Sequence, residues 1–281
     1  TGEAARPRIP GARFLPAVGT GREALADWLV APENPYFARS VVNRLWKKLM
    51  GRGLVEPVND MRATNPATHP ALLDALGTEF RQHGYSWRYI VRTIVSSKAY
   101  ARSARTLPAN RTDDRFYSHA LVRPLEPEVL LDALVDVTGV PQRYADLPLG
   151  TRAVTLFDAR LPSRELDILG RCSREESCEE GTLAAATGGL TRKLHLVNGE
   201  LINGKIGHEQ GYLNQLLRSR LSREQIVTRL YLACFSRDPT NLEKEHWKQQ
   251  WEQSAVAAER QQWFEDLFWS LLACREFVTN H

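Results

Sequence analysis

The stretch Asn34 to Gly51, NPYFARSVVNRLWKKLMG, decides the fold class of this chain. Asn34 is a good N-cap, because its side-chain oxygen can accept from a free N–H of the first helical turn. Pro35 suits the first helical position, where its missing N–H costs nothing. Phe37, Val41, Leu45 and Leu49 then recur every four residues, an apolar stripe of helical period. Gly51 can end the helix in a left-handed conformation.

The same grammar extends in both directions. Upstream, Thr20-Gly-Arg-Glu23 has capping-box spacing, with Leu25, Trp28 and Leu29 on one face of the helix that follows. Residues 1–20 hold Pro7, Pro10 and Pro16 and read as an extended linker from an upstream domain. The chain begins with Thr1, so it is expected to be a piece of something longer. Downstream, 53–68 reads as a loop. His69-Pro70 then opens a helix to about His83, with Leu72, Leu73, Leu76 and Phe80 inward. Ser86 caps a fourth helix, Trp87 to about Ala101, carrying Ile90, Val91, Ile94 and Val95. A fifth runs over 127–138.

Residues 139–188 are rich in Pro and Gly and form the least regular segment. Ala153 to Phe157 is the one stretch there that reads as a short strand. Helices resume near Leu190. Ser222-Arg-Glu-Gln225 is another capping box, and Thr240-Asn-Leu-Glu243 a further one with Trp247 and Trp251 one turn apart. The last helix, about 256–273, is apolar on most sides and predicts a central packing element. The expected fold is all-α over 21–281, with an irregular segment at 139–188 and at most a short β ribbon within it.

Composition narrows the function classes. At 281 residues the chain can bury a real core, and 43% hydrophobic with 25% charged is an ordinary globular balance. A net charge of +4 argues against a dedicated nucleic-acid binder. No run approaches the roughly 20 apolar residues of a membrane span. There is no Cys-x-x-Cys-His for covalent haem, no phosphate-loop ending, no Gly-x-Ser-x-Gly elbow and no His-Glu-x-x-His.

What the helix grammar leaves over is a set of polar residues. Arg39, Asn43 and Trp46 fall three or four apart and so share one helix face. Arg39 and Arg44 carry planar forks suited to carboxylate, sulfate or phosphate. Asp60 and His69 lie on the next loop and helix start and can fold back toward that face. Two readings stay open: a polar pocket for an anionic or sugar ligand, or a buried network tying loop 53–68 to the helix. Cys172 and Cys178 flank five residues, a separation that permits a small disulfide-closed loop, two free thiols or part of a metal site. No further soft or imidazole ligand is nearby in sequence, so no metal is expected. Cys234 and Cys274 sit on apolar helix faces and read as core. Glu175-Glu176 and Glu179-Glu180 read as a solvated acidic loop. Trp87, directly after a cap, reads as core or as a surface platform for a sugar.

Several blocks together carry a family resemblance. Asn34-Pro35, Arg39, Val42-Asn43-Arg44-Leu45-Trp46, Gly51-Arg52-Gly53-Leu54, Asp60 and His69-Pro70 resemble the opening of a planctomycete domain of unknown function. Arg123-Pro124-Leu125-Glu126, Leu194 to Gly199, Phe235 to Thr240 with Glu243, and Asp266 to Trp269 with Glu276-Phe277 resemble its later blocks. Such domains form the C-terminal part of large exported proteins, many with a cytochrome-c-type domain near their N-terminus. The resemblance implies an exported, periplasmic or cell-envelope protein whose partners are the upstream domains of its own polypeptide. It implies no cofactor in this segment, haem belonging upstream if present. The family supplies no activity. The expectation is an accessory module contacting polysaccharide or envelope proteins. The alternative is an enzyme, a polysaccharide-directed hydrolase or haem-coupled oxidoreductase, working through Arg39, Asn43, Asp60 and His69.

Overall fold

A computed structural model describes residues 21–158, 160–171, 199–253 and 257–280, without the side chains of 257–259. The described residues form twelve α-helices, one 3-10 turn and one two-stranded antiparallel ribbon, a mainly all-α fold. They group into two compact units that divide between Val122 and Arg123. The proposed linker, 1–20, lies outside the described residues.

The first unit holds α1 (Gly21–Val30), α2 (Phe37–Met50), α3 (Pro70–Gln82) and α4 (Trp87–Val95). Asn34 Oδ1 accepts from the N–H of Tyr36 at 2.8 Å and of Phe37 at 3.0 Å, so it grips the turn before α2, whose N-cap position is Tyr36, without a side-chain cap bond, and not Asn34. That grip places Pro35 in the turn and starts the helix at Phe37, two residues later than the sequence suggests. The inward face of α2 also differs. The fully buried residues are Ala38, Val42, Asn43, Trp46 and Met50, while Val41, Leu45 and Leu49 are only partly covered. Two apolar stripes lie side by side on α2. The one carrying Asn43 is sealed, because it meets both neighbouring helices and the returning loop. Gly51 ends the helix as expected, with φ 87° and its N–H on Lys47 O at 2.8 Å.

Smaller corrections follow the same logic. α1 buries none of its residues, so Leu25, Trp28 and Leu29 do not form an inward face. Hydrogen bonds at its C-terminal end hold it instead, Asn34 Nδ2 to Trp28 O and Tyr85 OH to Val30 O. Leu72 of α3 is exposed; Leu73, Leu76 and Phe80 fill the core without it. α4 stops at Val95, not Ala101, and only Ile90 and Ile94 are buried. The Ser86 hydroxyl caps it, accepting from Tyr89 N at 3.3 Å.

The second unit holds α5 (Pro127–Thr138), α6 (Arg164–Ile168), α7 (Glu200–Ile206), α8 (Tyr212–Leu217), α9 (Arg223–Phe235), α10 (Asn241–Gln253), α11 (Ala257–Ala273) and α12 (Arg275–Val278). α11 is the central packing element anticipated, burying Trp263, Phe264, Leu267, Phe268, Leu271 and Leu272. Trp247 and Trp251 stand edge-on to Trp263, at 6.0 and 5.0 Å. The capping box at Ser222 and Gln225 forms as read, as does that of Thr240 and Glu243.

The ribbon is not in the irregular segment. It pairs β1 (Arg123–Pro124) with β2 (Thr279–Asn280), the two ends of the unit. Ala153 to Thr155 is a 3-10 turn, not a strand. The buried carboxylate of Asp132 on α5 takes the N–H groups of Ala153, at 2.7 Å, and Val154, at 3.2 Å. Those donors would otherwise face a strand partner, so the turn wins.

Candidate functional site

Loop 51–69 brings the polar residues singled out in sequence to the surface of α2. Asn43 is its anchor. Its Nδ2 donates to Val55 O at 2.9 Å and its Oδ1 accepts from Val55 N at 3.0 Å, with no exposed surface at all. The amide thus stands in for a strand, pairing both backbone groups of one residue. Gly53 packs against it so tightly that a Cβ there would lie 2.4 Å from Val55 O and 3.2 Å from Asn43 Nδ2. One turn along α2, Lys47 Nζ meets Glu56 Oε1 at 2.7 Å, and Glu56 Oε2 accepts from Gly53 N at 2.8 Å. From the other side the Tyr117 hydroxyl donates to Gly53 O at 2.8 Å, and burial raises its pKa above the ordinary phenol value.

The other members of the set each have a different partner. Arg44 Nη2 donates to Asn59 Oδ1 at 2.6 Å. Asp60 receives both Nε and Nη2 of Arg62 at 2.7 Å, and that guanidinium holds its carboxyl below the usual range. His69 takes the N-cap position of α3, but its ring does not cap. Nδ1 lies 3.2 Å from Thr68 Oγ1, and the ring leans against Phe116 and Tyr117. Arg39 Nε faces Asp74 Oδ1 at 3.0 Å, an ion pair without hydrogen-bond alignment.

Of the five, Arg39 lines a groove of about 270 Å³. Glu33, Asn34, Asp74, Thr78 and Arg81 complete its polar lining. Gly77 of α3 packs against the stem of Arg39, a Cβ there falling at ordinary contact distance, 3.5 Å, from Arg39 Cγ. Sequence reasoning passed over Asp74, Thr78 and Arg81, although the 74–78–81 spacing puts them on one helix face. The groove offers donors and acceptors to a polar ligand but places no nucleophile beside a base.

The second unit carries two polar groupings that the sequence reading did not single out as sites. Arg237, after α9, makes paired hydrogen bonds to Glu243 (both 2.9 Å) and to Glu276 (2.7 and 2.8 Å), and lies over the Tyr231 and Phe235 rings. Its hydrogen bonds bring the Glu243 carboxyl down to about 2. Deeper in, Lys205 donates to Val140 O at 2.8 Å, and burial lowers its pKa. The neighbouring Tyr144 hydroxyl has no hydrogen-bond partner; burial, then the carboxylates of Asp132, Glu165 and Glu128, keep it protonated. Cys234 and Cys274 are free thiols in partly buried positions, and burial pushes Cys234 up, which makes it unreactive. Cys172, Cys178 and the four glutamates beside them lie outside the described residues. Among the described residues no three His, Cys, Asp or Glu converge as a metal site, and no helix is long and apolar enough to cross a membrane.

A helical module whose most distinctive polar residues brace its own loop is the class that fold and geometry define. The chain belongs to the family described as PSD1, protein of unknown function (DUF1553), whose model matches residues 21–251. No curated protein and no solved structure matches it.

Proposed function

We propose that this chain is a non-catalytic interaction module of a larger exported, envelope-associated protein of the planctomycete type, and that it contacts polysaccharide. Residues 1–20 serve as the linker from the upstream domains, and any haem belongs to those domains. The observation that carries this reading is Asn43, the centre of the polar set, with both its hydrogen-bonding groups on Val55 and no surface exposed. Asp60 is likewise closed on Arg62 and Arg39 on Asp74. An enzyme working through these residues needs groups free to reach a substrate. A binding module needs only a polar surface on a rigid frame.

The test is polysaccharide binding by the purified chain, with Asn43→Ala and His69→Ala beside it. The expected result is retention on polysaccharide by the parent chain and by every variant that stays folded, with Asn43→Ala lowering stability alone. Glycoside cleavage or electron transfer that disappears in a fully folded His69→Ala chain would establish the enzyme instead.

A further inference from the structure

The cations of this chain are unevenly divided. Residues 21–122 contain 15 Lys and Arg against 9 Asp and Glu, an excess that the whole-chain balance of +4 conceals. The outer face of α4 concentrates part of it. Ile90 and Ile94 turn inward, and Arg88 and Arg92, one turn apart and about 6 Å along the axis, point the opposite way. Lys98 follows in the next turn, also exposed. None of the three makes a hydrogen bond or ion pair with any described residue, whereas Arg39, Arg62, Arg152, Arg171 and Arg237 all do. At the head of the same helix Trp87 leaves 59% of its surface open to solvent.

This arrangement is unfavourable in the isolated chain. Like charges four apart on a helix repel. A cation in the first turn opposes the positive end of the helix dipole, and α4 has no acidic residue there to offset Arg88. An exposed indole adds a hydration cost. A polyanion with flat apolar ring faces would relieve all three at once, its carboxylates or sulfates meeting the guanidinium forks and a ring face covering Trp87. A bilayer fits less well. α4 has 9 residues, and its apolar side, Ile90 and Ile94, is already in the core, leaving no face to insert.

We infer that the exposed surface around α4, with Trp87 at the head of the helix, Arg88 and Arg92 on its outer face and Lys98 in the turn beyond it, is a docking surface for an acidic polysaccharide. The inference rests on the polysaccharide reading above and deepens it by naming the surface and the ligand's charge. Binding is electrostatic at the cations and so is screened by salt, while the Trp87 contact is not.

Affinity electrophoresis of the full chain tests it, in native gels cast with polygalacturonate, with a neutral β-glucan, or with poly-glutamate, and with flotation on anionic phosphatidylglycerol vesicles in parallel. Retardation by polygalacturonate well above that by the other matrices is expected. Arg88→Ala/Arg92→Ala should weaken it by roughly three- to tenfold, as two exposed charge contacts would. Trp87→Ala should weaken it at low and high salt alike. The Arg88→Ala/Arg92→Ala chain should unfold at or above the parent's denaturant midpoint, since both side chains are exposed and their mutual repulsion is removed. Polygalacturonate binding unchanged in both variants, or equal retardation by the neutral glucan, overturns this surface and leaves the module a polysaccharide binder. Binding to poly-glutamate or vesicles as strong as to polygalacturonate overturns it in favour of an acidic protein or a membrane. No retardation by either polysaccharide refutes the polysaccharide reading itself.

Discussion

Replacing Asn43 with Ala should destabilise the first unit by about 3 kcal/mol. Asn43 is fully buried, and Val55, which receives both its hydrogen bonds at 2.9 and 3.0 Å, is buried as well. The variant strands one N–H and one C=O away from water, at about 1–3 kcal/mol each, partly offset because the amide no longer has to be desolvated. Asn43→Asp makes the sharper test. As a carboxylate it keeps the acceptor for Val55 N–H but turns a second oxygen against Val55 O, in a fully buried site. Protonated, it regains a donor in the same place. Its pKa in the folded state is therefore raised, and the sign follows: stability is greatest below the ordinary aspartate range and falls as pH rises through the raised value. Urea titrations followed by tryptophan fluorescence at pH 7 and pH 4.5 measure both variants. The expected pattern is a large loss for both at pH 7 and a partial recovery of Asn43→Asp alone at pH 4.5, each relative to the parent at the same pH. A loss under about 1 kcal/mol for Asn43→Ala, well short of two stranded groups, would refute the bracing role, as would an Asn43→Asp deficit independent of pH.

Gly53→Ala sets a Cβ 2.4 Å from Val55 O, a backbone atom that cannot swing away, so it should cost about 2 kcal/mol or more in the same titration. Arg237→Ala removes the hydrogen bonds that join Glu243 and Glu276 and should cost about 2 kcal/mol, with Arg237→Lys recovering less than half, because an ammonium cannot match two carboxylates at once. Glu243 is held down to about 2, so its share of stability is full above the ordinary glutamate value and is lost as pH falls from there toward 2. Acid titration of Arg237→Ala should show a shallower decline in that window. Asp132→Asn keeps one acceptor oxygen for the N–H groups of Ala153 and Val154, so one is stranded, at about 1–2 kcal/mol by thermal unfolding of the chain.

How far the sequence carries depends on the distance over which each feature is decided. Helix starts are local. Ser86, Ser222 with Gln225, and Thr240 with Glu243 each act over three residues, and each forms where the pattern places it. The inward face of α2 is not local. Apolar residues at 37, 38, 41, 42, 45, 46, 49 and 50 make two adjacent stripes, and the packing of α3, α4 and the returning loop selects the one with Asn43. Asp132 turns Ala153 into a 3-10 turn from 21 residues away, and the ribbon joins Arg123 to a residue 157 positions on. The candidate site divides along the same line. Arg39 and Asn43 are legible as unusual from helix spacing. Which of them is sealed and which borders a groove depends on Val55 and on Asp74.

The residues that carry the family resemblance are, where described, mostly residues with structural partners. Asn34 holds the turn before α2, Asn43 and Gly53 brace the loop, Asp60 closes on Arg62, and Arg237, Glu243 and Glu276 tie three segments of the second unit together. A pattern built from such residues specifies a frame, and one frame can present many surfaces. That accounts for a sequence so readable as a family member and so silent about chemistry. It also sets apart two kinds of residue. Substituting the bracing residues should lower stability and leave ligand contact intact in whatever fraction stays folded. Substituting Arg88 or Arg92 should not lower stability and should change contact. A chain in which Asn43 governed ligand affinity at unchanged stability would break that division, because an amide with no exposed surface cannot reach a ligand.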